Sequence, residues 1–328
     1  MLDLVLRPLT NAFGAAQQAL FESLVQPLAY DLGFANLLED AFVGTGWVLV
    51  GLIEIAVIVV FIGALERWRP VEAVTDRQAV RLDIAYTLLH RLGLFRLALF
   101  FTIDPLWDGV VGELRMRGMA TWHLDAAIAG WWPGVTSSAL FAFFAYLVLF
   151  DFIDYWLHRG QHGLRWWWGL HSLHHSQRQM TKWSDNRGHL LDDLMRDSAI
   201  VLVAHFVGIA PGQFVAVVAC TQLLESLSHA NARVGFGTVL ERFFVSPRFH
   251  RLHHSIGLGH ESNGPASLGG HNFAVLFPVW DILFGTANFE RRTDPTGVRD
   301  QLPEFGGRDY GQGFWQQQWL GMKRMVGR

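Results

Sequence analysis

The chain has 328 residues, 51% of them hydrophobic and only 17% charged, with 14 Trp and 25 Phe, which is apolar for a soluble protein and rich in the rings that cover lipid-facing and interfacial surface. A net charge of -3 excludes a nucleic-acid partner, because holding phosphate needs a basic excess. Cys220 is the only cysteine, which excludes disulfides within the chain and thiolate ligation as the main chemistry, so any metal must be held by nitrogen and oxygen.

Residues 1–45 start MLDLVLRPLTNAFG and lack the basic region and long apolar core of a cleaved leader. They read as retained helix, either amphipathic on a membrane surface or packed on the rest. Residues 46–157 hold the expected membrane spans. Gly46 to Leu65 is about 20 residues broken only by Glu54, long enough for a hydrocarbon core of about 30 Å. Glu54 inside it reads as a packing or interface carboxylate. The loop that follows carries Arg67, Arg69, Arg77 and Arg81, which the positive-inside bias puts in the cytoplasm. A second span is expected from about Ile84 to Ile103, with His90, Arg91 and Arg96 turned to the protein interior and His90 a buried structural residue. Trp107, Trp122, Trp131 and Trp132 mark residues 104–134 as an interfacial loop on the far side, with His123 at its surface. The third span runs from Thr136 to Leu157 and delivers the next residues to the cytoplasmic face.

Those next residues are the centre of the sequence. His158 and His162 are four apart, so on a helix their rings lie one above the other on one face. His171, His174 and His175 follow with helical spacing, and His250, His253 and His254 repeat the same HxxHH pattern. Of 15 histidines, 13 fall between His158 and His271. One ion takes about four to six ligands, so eight converging imidazoles suit a dinuclear metal centre. Asp151 and Asp154 share the helical stripe of His158; either they support metal-bound imidazoles, or they form salt bridges to Arg159 or Arg165.

Beyond HSLHHS a polar segment contains His189, with Asp192 and Asp193 on what reads as a solvated helix face. Residues 199–227 are apolar but interrupted by Gly208, Pro211 and Gly212. Because the two HxxHH boxes must meet, the chain has to leave and return to one side, and a helical hairpin turning at GIAPG does this with two arms of about 15 residues. His205 lies near its tip, away from the boxes, whereas Glu225 and His229, four apart at the return end, share a face directed to the site. His260 sits in a Gly-rich loop and reads as loop, and the polar, Gln-rich and Gly-rich tail 290–328 reads as cytoplasmic or interfacial. No dinucleotide fingerprint, P-loop or haem-attachment motif occurs.

The strings LHRGQH, HSLHHS, SHAN, SPRFHRLHHS and the closing HNFAVLFPVWDILFGT resemble the fatty acid hydroxylase superfamily of integral-membrane oxygenases, which includes sterol desaturases, sterol methyl oxidases and alkylglycerol monooxygenase; the resemblance covers about Arg81 to Phe289. It implies that His229 is a ninth ligand. It makes His189 a site residue, although the His-Pro pair of many relatives is here His189-Leu190, and makes His271 a residue that completes or orients the coordination. The expectation is an all-α membrane bundle of three spans plus a hairpin, with catalytic residues 158–289 at a cytoplasmic site. Two iron ions, with zinc as a possible occupant after purification, would use O2 to hydroxylate or desaturate a lipid. Asp154, Glu225 and His189 are the candidate catalytic residues, and the electrons would come from a separate reductase, ferredoxin or cytochrome, or from a pterin. Three rivals use similar ligands. A dinuclear zinc hydrolase generally mixes carboxylates into its ligand set, a membrane haem carrier needs only pairs of axial histidines, and a metal transporter puts its ligands at mid-span.

Overall fold

The structure is a computed structural model that describes residues 2–120, 122–132, 138–256 and 270–327; Thr136, the expected start of the third span, and His260 lie outside them. Among the described residues all regular structure is helical apart from one isolated bridge between Ser255 and Thr296.

Helices α1 (Leu2–Leu20) and α2 (Gln26–Asp31) are joined by a π-helical stretch, and α3 (Leu38–Val57) continues through a second one into α4 (Gly63–Trp68). Residues Ala35–Trp68 thus make one apolar rod of 34 residues, about 50 Å at 1.5 Å per residue and longer than a hydrocarbon core. Glu54 is buried in it and accepts from Arg91 Nη1 at 3.0 Å, which makes it a packing carboxylate. Next to it Gly51 lets the neighbouring helix in: a Cβ there would stand 1.5 Å from the Arg91 carbonyl oxygen.

The second expected span does not form as one rod. Asp76 caps α5 (Arg77–Arg91) by accepting from Ala79 N at 2.9 Å, and Gly93, in the left-handed region at φ 76°, separates it from α6 (Leu94–Thr102). The reason lies in α5's polar residues. Asp83, Thr87 and Arg91 are all buried, and Arg91 binds Asp185 Oδ2 at 2.8 Å, Gln222 Oε1 at 2.8 Å and Ser226 Oγ at 3.1 Å as well as Glu54. A helix holding such a network belongs inside protein, not in lipid. After it come α7 (Asp104–Met116) and α8 (Leu124–Trp131), at whose end Trp131 and Trp132 are 93% and 66% exposed.

The second candidate crossing helix is α9 (Ala139–Gly163), whose 25 residues run on through the first histidine pair. A one-residue break leads to α10 (Arg165–His175). The stretch 199–227 lies within two successive helices, α11 (Leu190–Val207) and α12 (Pro211–Ser228), of 18 residues each. The break between them is made by Gly208 at φ 65° and Pro211 in the first turn of α12, where neither a Cβ nor an N–H is needed. Short helices α13 (Gly237–Leu240), α14 (Pro247–His253) and α15 (Val279–Leu283) precede α16 (Phe314–Met325). Here α16 packs along α10 so closely that a Cβ on Gly169 would stand 2.6 Å from Met325 N, and Gln318 reaches Tyr86 Oη and the Gly188 carbonyl.

Candidate metal centre

Four helices bring nine imidazoles together. His158 and His162 come from α9, His171, His174 and His175 from α10, His229 from the C-cap of α12, and His250, His253 and His254 from α14 and its cap. Local helical spacing presents each set on one face; the packing of these helices makes the sets meet. His158, His162, His171 and His175 form one group and His174, His229, His250 and His254 another, with ligand atoms in each within 4.8 Å of one another. A third group, His175, His253 and His254, joins the two. All nine are buried except His174, which is partly so.

The ring nitrogens are spaced as ligands of shared cations would be. His162 and His175 Nε2 are 3.1 Å apart, His174 and His229 Nε2 3.1 Å, His229 and His250 Nε2 3.0 Å, and His250 and His254 Nε2 3.2 Å. Two nitrogens each about 2.1 Å from one ion at angles of about 90–110° stand roughly 3.0–3.4 Å apart. His158 Nε2 and His171 Nε2 are buried with no hydrogen-bond partner among the described residues, a cost that a cation would remove.

The opposite nitrogens are held by oxygen. Nδ1–H donates to the Phe273 carbonyl from His158 (2.8 Å), to Asp192 Oδ2 from His171 (2.9 Å) and to the Arg187 carbonyl from His174 (3.0 Å). It donates to the Glu225 carbonyl from His229 (2.8 Å) and to the His271 carbonyl from His253 (2.6 Å). Each bond fixes a tautomer and leaves an Nε2 lone pair facing inward, as metal-binding imidazoles require. Burial, with the neighbouring rings adding to it, pushes His174, His250 and His253 well below the ordinary imidazole pKa, so they stand neutral as ligands must.

The supporting frame comes from the closing motif. Asn272, at φ 58°, accepts from Asn288 N at 2.6 Å and donates to the Phe249 carbonyl at 3.1 Å. Asp281 accepts from the Phe273 and Ala274 amides at 2.8 and 2.9 Å, which aims the Phe273 carbonyl at His158. Asp151 accepts from Leu276 N at 2.7 Å, Phe277 N at 3.1 Å and Trp280 Nε1 at 2.9 Å, so it joins α9 to this motif and bonds neither Arg159 nor Arg165.

The other candidates lie around the groups. His271 hydrogen-bonds through its ring to the Leu252 backbone, and its carbonyl accepts from His253 Nδ1 at 2.6 Å. His189 caps α11, accepting from Leu191 N at 3.1 Å and donating to the Gln318 carbonyl at 2.8 Å. Asp154 and Glu225 both bind Arg196. His205 lies by Asp108, at 3.2 Å, and His123 against Gly208. Asp192, expected on a solvated face, is instead buried and holds His171, Gln161 Nε2 (2.8 Å) and Trp167 Nε1 (2.6 Å). Its burial acts to raise its pKa, but the His171 contact and the two donors outweigh that and hold it below the ordinary carboxylate value. Asp193, also expected on a solvated face, is half-buried beside His90 at 3.5 Å. Two adjacent aspartates at a helix start carry no mark of this; only the packing of α11 on α9 and α10 places Asp192 against His171.

Residues 143–286, which contain all nine histidines, match the fatty acid hydroxylase family. The chain is 27% identical to an ornithine lipid hydroxylase of Rhizobium tropici over 73% of this chain and 67% of the relative. It is 28% identical to an alkylglycerol monooxygenase of Caenorhabditis elegans over 44% of this chain and 26% of the relative. Against a sterol desaturase of Gibberella zeae the figures are 26% identity, 44% and 42%. It thus spans less than half the length of the latter two. No solved structure matches the chain.

Proposed function

We propose, from the match of residues 143–286 to the fatty acid hydroxylase family, that the protein is a membrane-bound di-iron oxygenase that hydroxylates or desaturates a lipid. One observation carries the reading: nine imidazoles from four helices converge in two adjoining groups with ligand spacing. His158, His162, His171 and His175, with His253 beside them, would hold one ion, and His174, His229, His250 and His254 the other. A redox-active pair held there would supply O2 activation: hydroxylation puts one oxygen atom into a C–H bond and releases the other as water, while desaturation removes two hydrogens and releases two waters. Either consumes two electrons and two protons from outside, and a separate donor fits a chain in which no flavin, haem or nicotinamide motif occurs.

The protein's own groups do the rest. Asp192 and four backbone carbonyls orient the rings; burial keeps His174, His250 and His253 neutral; and the apolar cavity between α3, α9, α11 and α12 offers a lipid chain a way to the site. The rod 35–68 and α9 would cross the bilayer, with α11 and α12 beside them. The arginine-bearing loop after the rod supports a cytosolic site. Val71 N and Glu72 N bond Asn231 Oδ1 at 3.1 and 3.2 Å, two residues from His229.

Protein purified in detergent without chelator, reconstituted with ferrous iron and reduced, is expected to carry two irons, to show no Soret band and to add oxygen or a double bond to a lipid from a total membrane extract. A sample with two irons bound that consumes no O2 and leaves every lipid unchanged would sink the reading.

A further inference from the structure

Two carboxylates and one guanidinium stand between the histidines and the apolar cavity. Asp154 lies one turn before His158 on α9, and Glu225 lies one turn before His229 at the end of α12, so each neighbours a different histidine group. Arg196 of α11 bridges them, with Nε donating to Asp154 Oδ1 at 2.9 Å and Nη2 donating to Glu225 Oε1 at 3.0 Å. On one side is a chamber with apolar walls from Trp47, Leu99, Phe150, Ile200, Phe214 and Val217. On the other is the pocket faced by His158, His171, His174, His229 and His250. Asp154, Arg196 and Glu225 line both spaces.

We infer that this bridge decides where along a lipid the protein acts: the reacting carbon lies within a few bonds of a polar head that is neutral or cationic overall and carries both hydrogen-bond donors and acceptors. The inference rests on the oxygenase reading and goes beyond it, to the chemical class of the substrate. A lipid whose chain fills the chamber must present its reacting carbon beyond the bridge. A mid-chain methylene there would press against a partly dehydrated ion pair and return no hydrogen bond, a poor exchange for the solvation the charges have already given up. An amide, or a head that combines an ammonium with acceptors, can instead pair with Arg196 and with the carboxylates at once. An anionic head would gain Arg196 but meet Asp154 and Glu225, and Asp197 lines the same chamber. Arg196 is the accessible member, its side chain 31% exposed against 7% and 18% for Asp154 and Glu225, so it is the group a head reaches first.

The test measures binding apart from turnover. Radiolabelled hexadecanamide, palmitate and hexadecane, which share a C16 chain and differ in the head, are titrated onto the full-length protein in detergent micelles. Hexadecanamide is expected to bind roughly tenfold more tightly than either of the others, as a site with buried polar groups favours the ligand that satisfies them. The triple variant Arg196→Gln, Asp154→Asn, Glu225→Gln removes the three charges of the bridge together, so none of the three is left without its partner. It should bind hexadecanamide and palmitate with closer affinities, at unchanged hexadecane affinity and unchanged metal content. Equal binding of the three probes to the unaltered protein, or the same preference in the variant, overturns the inference. With iron-loaded, reduced protein, tandem mass spectrometry of the oxidised lipid should place the new oxygen or double bond within a few carbons of the head, and a mid-chain or terminal position overturns it. If no lipid is oxidised, the oxygenase reading fails, and the binding series still decides whether the bridge selects the head.

Discussion

At the scale of single residues, the histidines divide into those whose rings meet and those whose rings do not. His174→Ala and His253→Ala each remove an imidazole whose Nδ1 is held by a carbonyl and whose Nε2 faces a group. Both are expected to lose metal loading and activity, read by metal analysis of purified protein; normal metal content in either takes that residue out of the ligand set. His205→Ala and His123→Ala touch the break between α11 and α12 and its neighbours and should leave metal content unchanged. Asp192→Ala leaves His171 Nδ1–H without its acceptor, and metal affinity should fall by about 10–100-fold while the fold remains, measured by competition with a chelator. The ligands could be read from spacing because i, i+3 and i+4 neighbours on a helix share a face whatever surrounds them. Asp192 could not be read, because its partner His171 is 21 residues away and only packing brings them together.

At the scale of elements, α10 carries three of the nine histidines and is held against α16 at Gly169. Gly169→Ala puts a methyl 2.6 Å from Met325 N, so α10 or α16 must shift. The expected cost is about 1–3 kcal/mol, seen as a lower melting temperature together with weaker metal retention, since the shifted helix takes His171, His174 and His175 with it. An unchanged melting temperature would show that the contact relaxes freely. The stretch 84–103, a poor hydropathy candidate because of His90, Arg91 and Arg96, departs from the expected single span, while Arg91 faces the interior as expected. Gly93 divides it, and Arg91 turns α5 inward to Glu54, Asp185 and Gln222. Hydropathy counts charges but does not show whether each has a partner elsewhere in the chain. The break between α11 and α12 was legible, because Gly208 and Pro211 stop helices by local chemistry alone.

At the scale of the whole molecule, stability, metal loading and pH are linked. His174, His250 and His253 have folded pKa values below the ordinary 6.5, so the unfolded chain binds more protons than the folded one between the two values. The stability they contribute is therefore present above about pH 6.5 and is lost as pH falls through the folded values. Metal binding should release protons and weaken over the same window, because protons and cations compete for the same lone pairs. Titration of metal content from pH 7.5 to 5 tests this; metal retention that does not change across that range would contradict it. Removing the metal with a chelator at pH 7.5 should likewise lower the melting temperature, as a ligand that binds only the folded state stabilises it by mass action. What the sequence by itself determined is the local part: histidine pairs on helix faces, apolar helices of crossing length and the break between α11 and α12, all of which depend on residues a few positions apart. Only the tertiary structure decided which histidines share a group, that the His271 carbonyl accepts from His253, that Asp192 accepts from His171, and that Arg196 bridges Asp154 and Glu225. Those contacts join residues up to dozens of positions apart, and they exist because burying the apolar faces of the helices forces the polar ones to find partners inside.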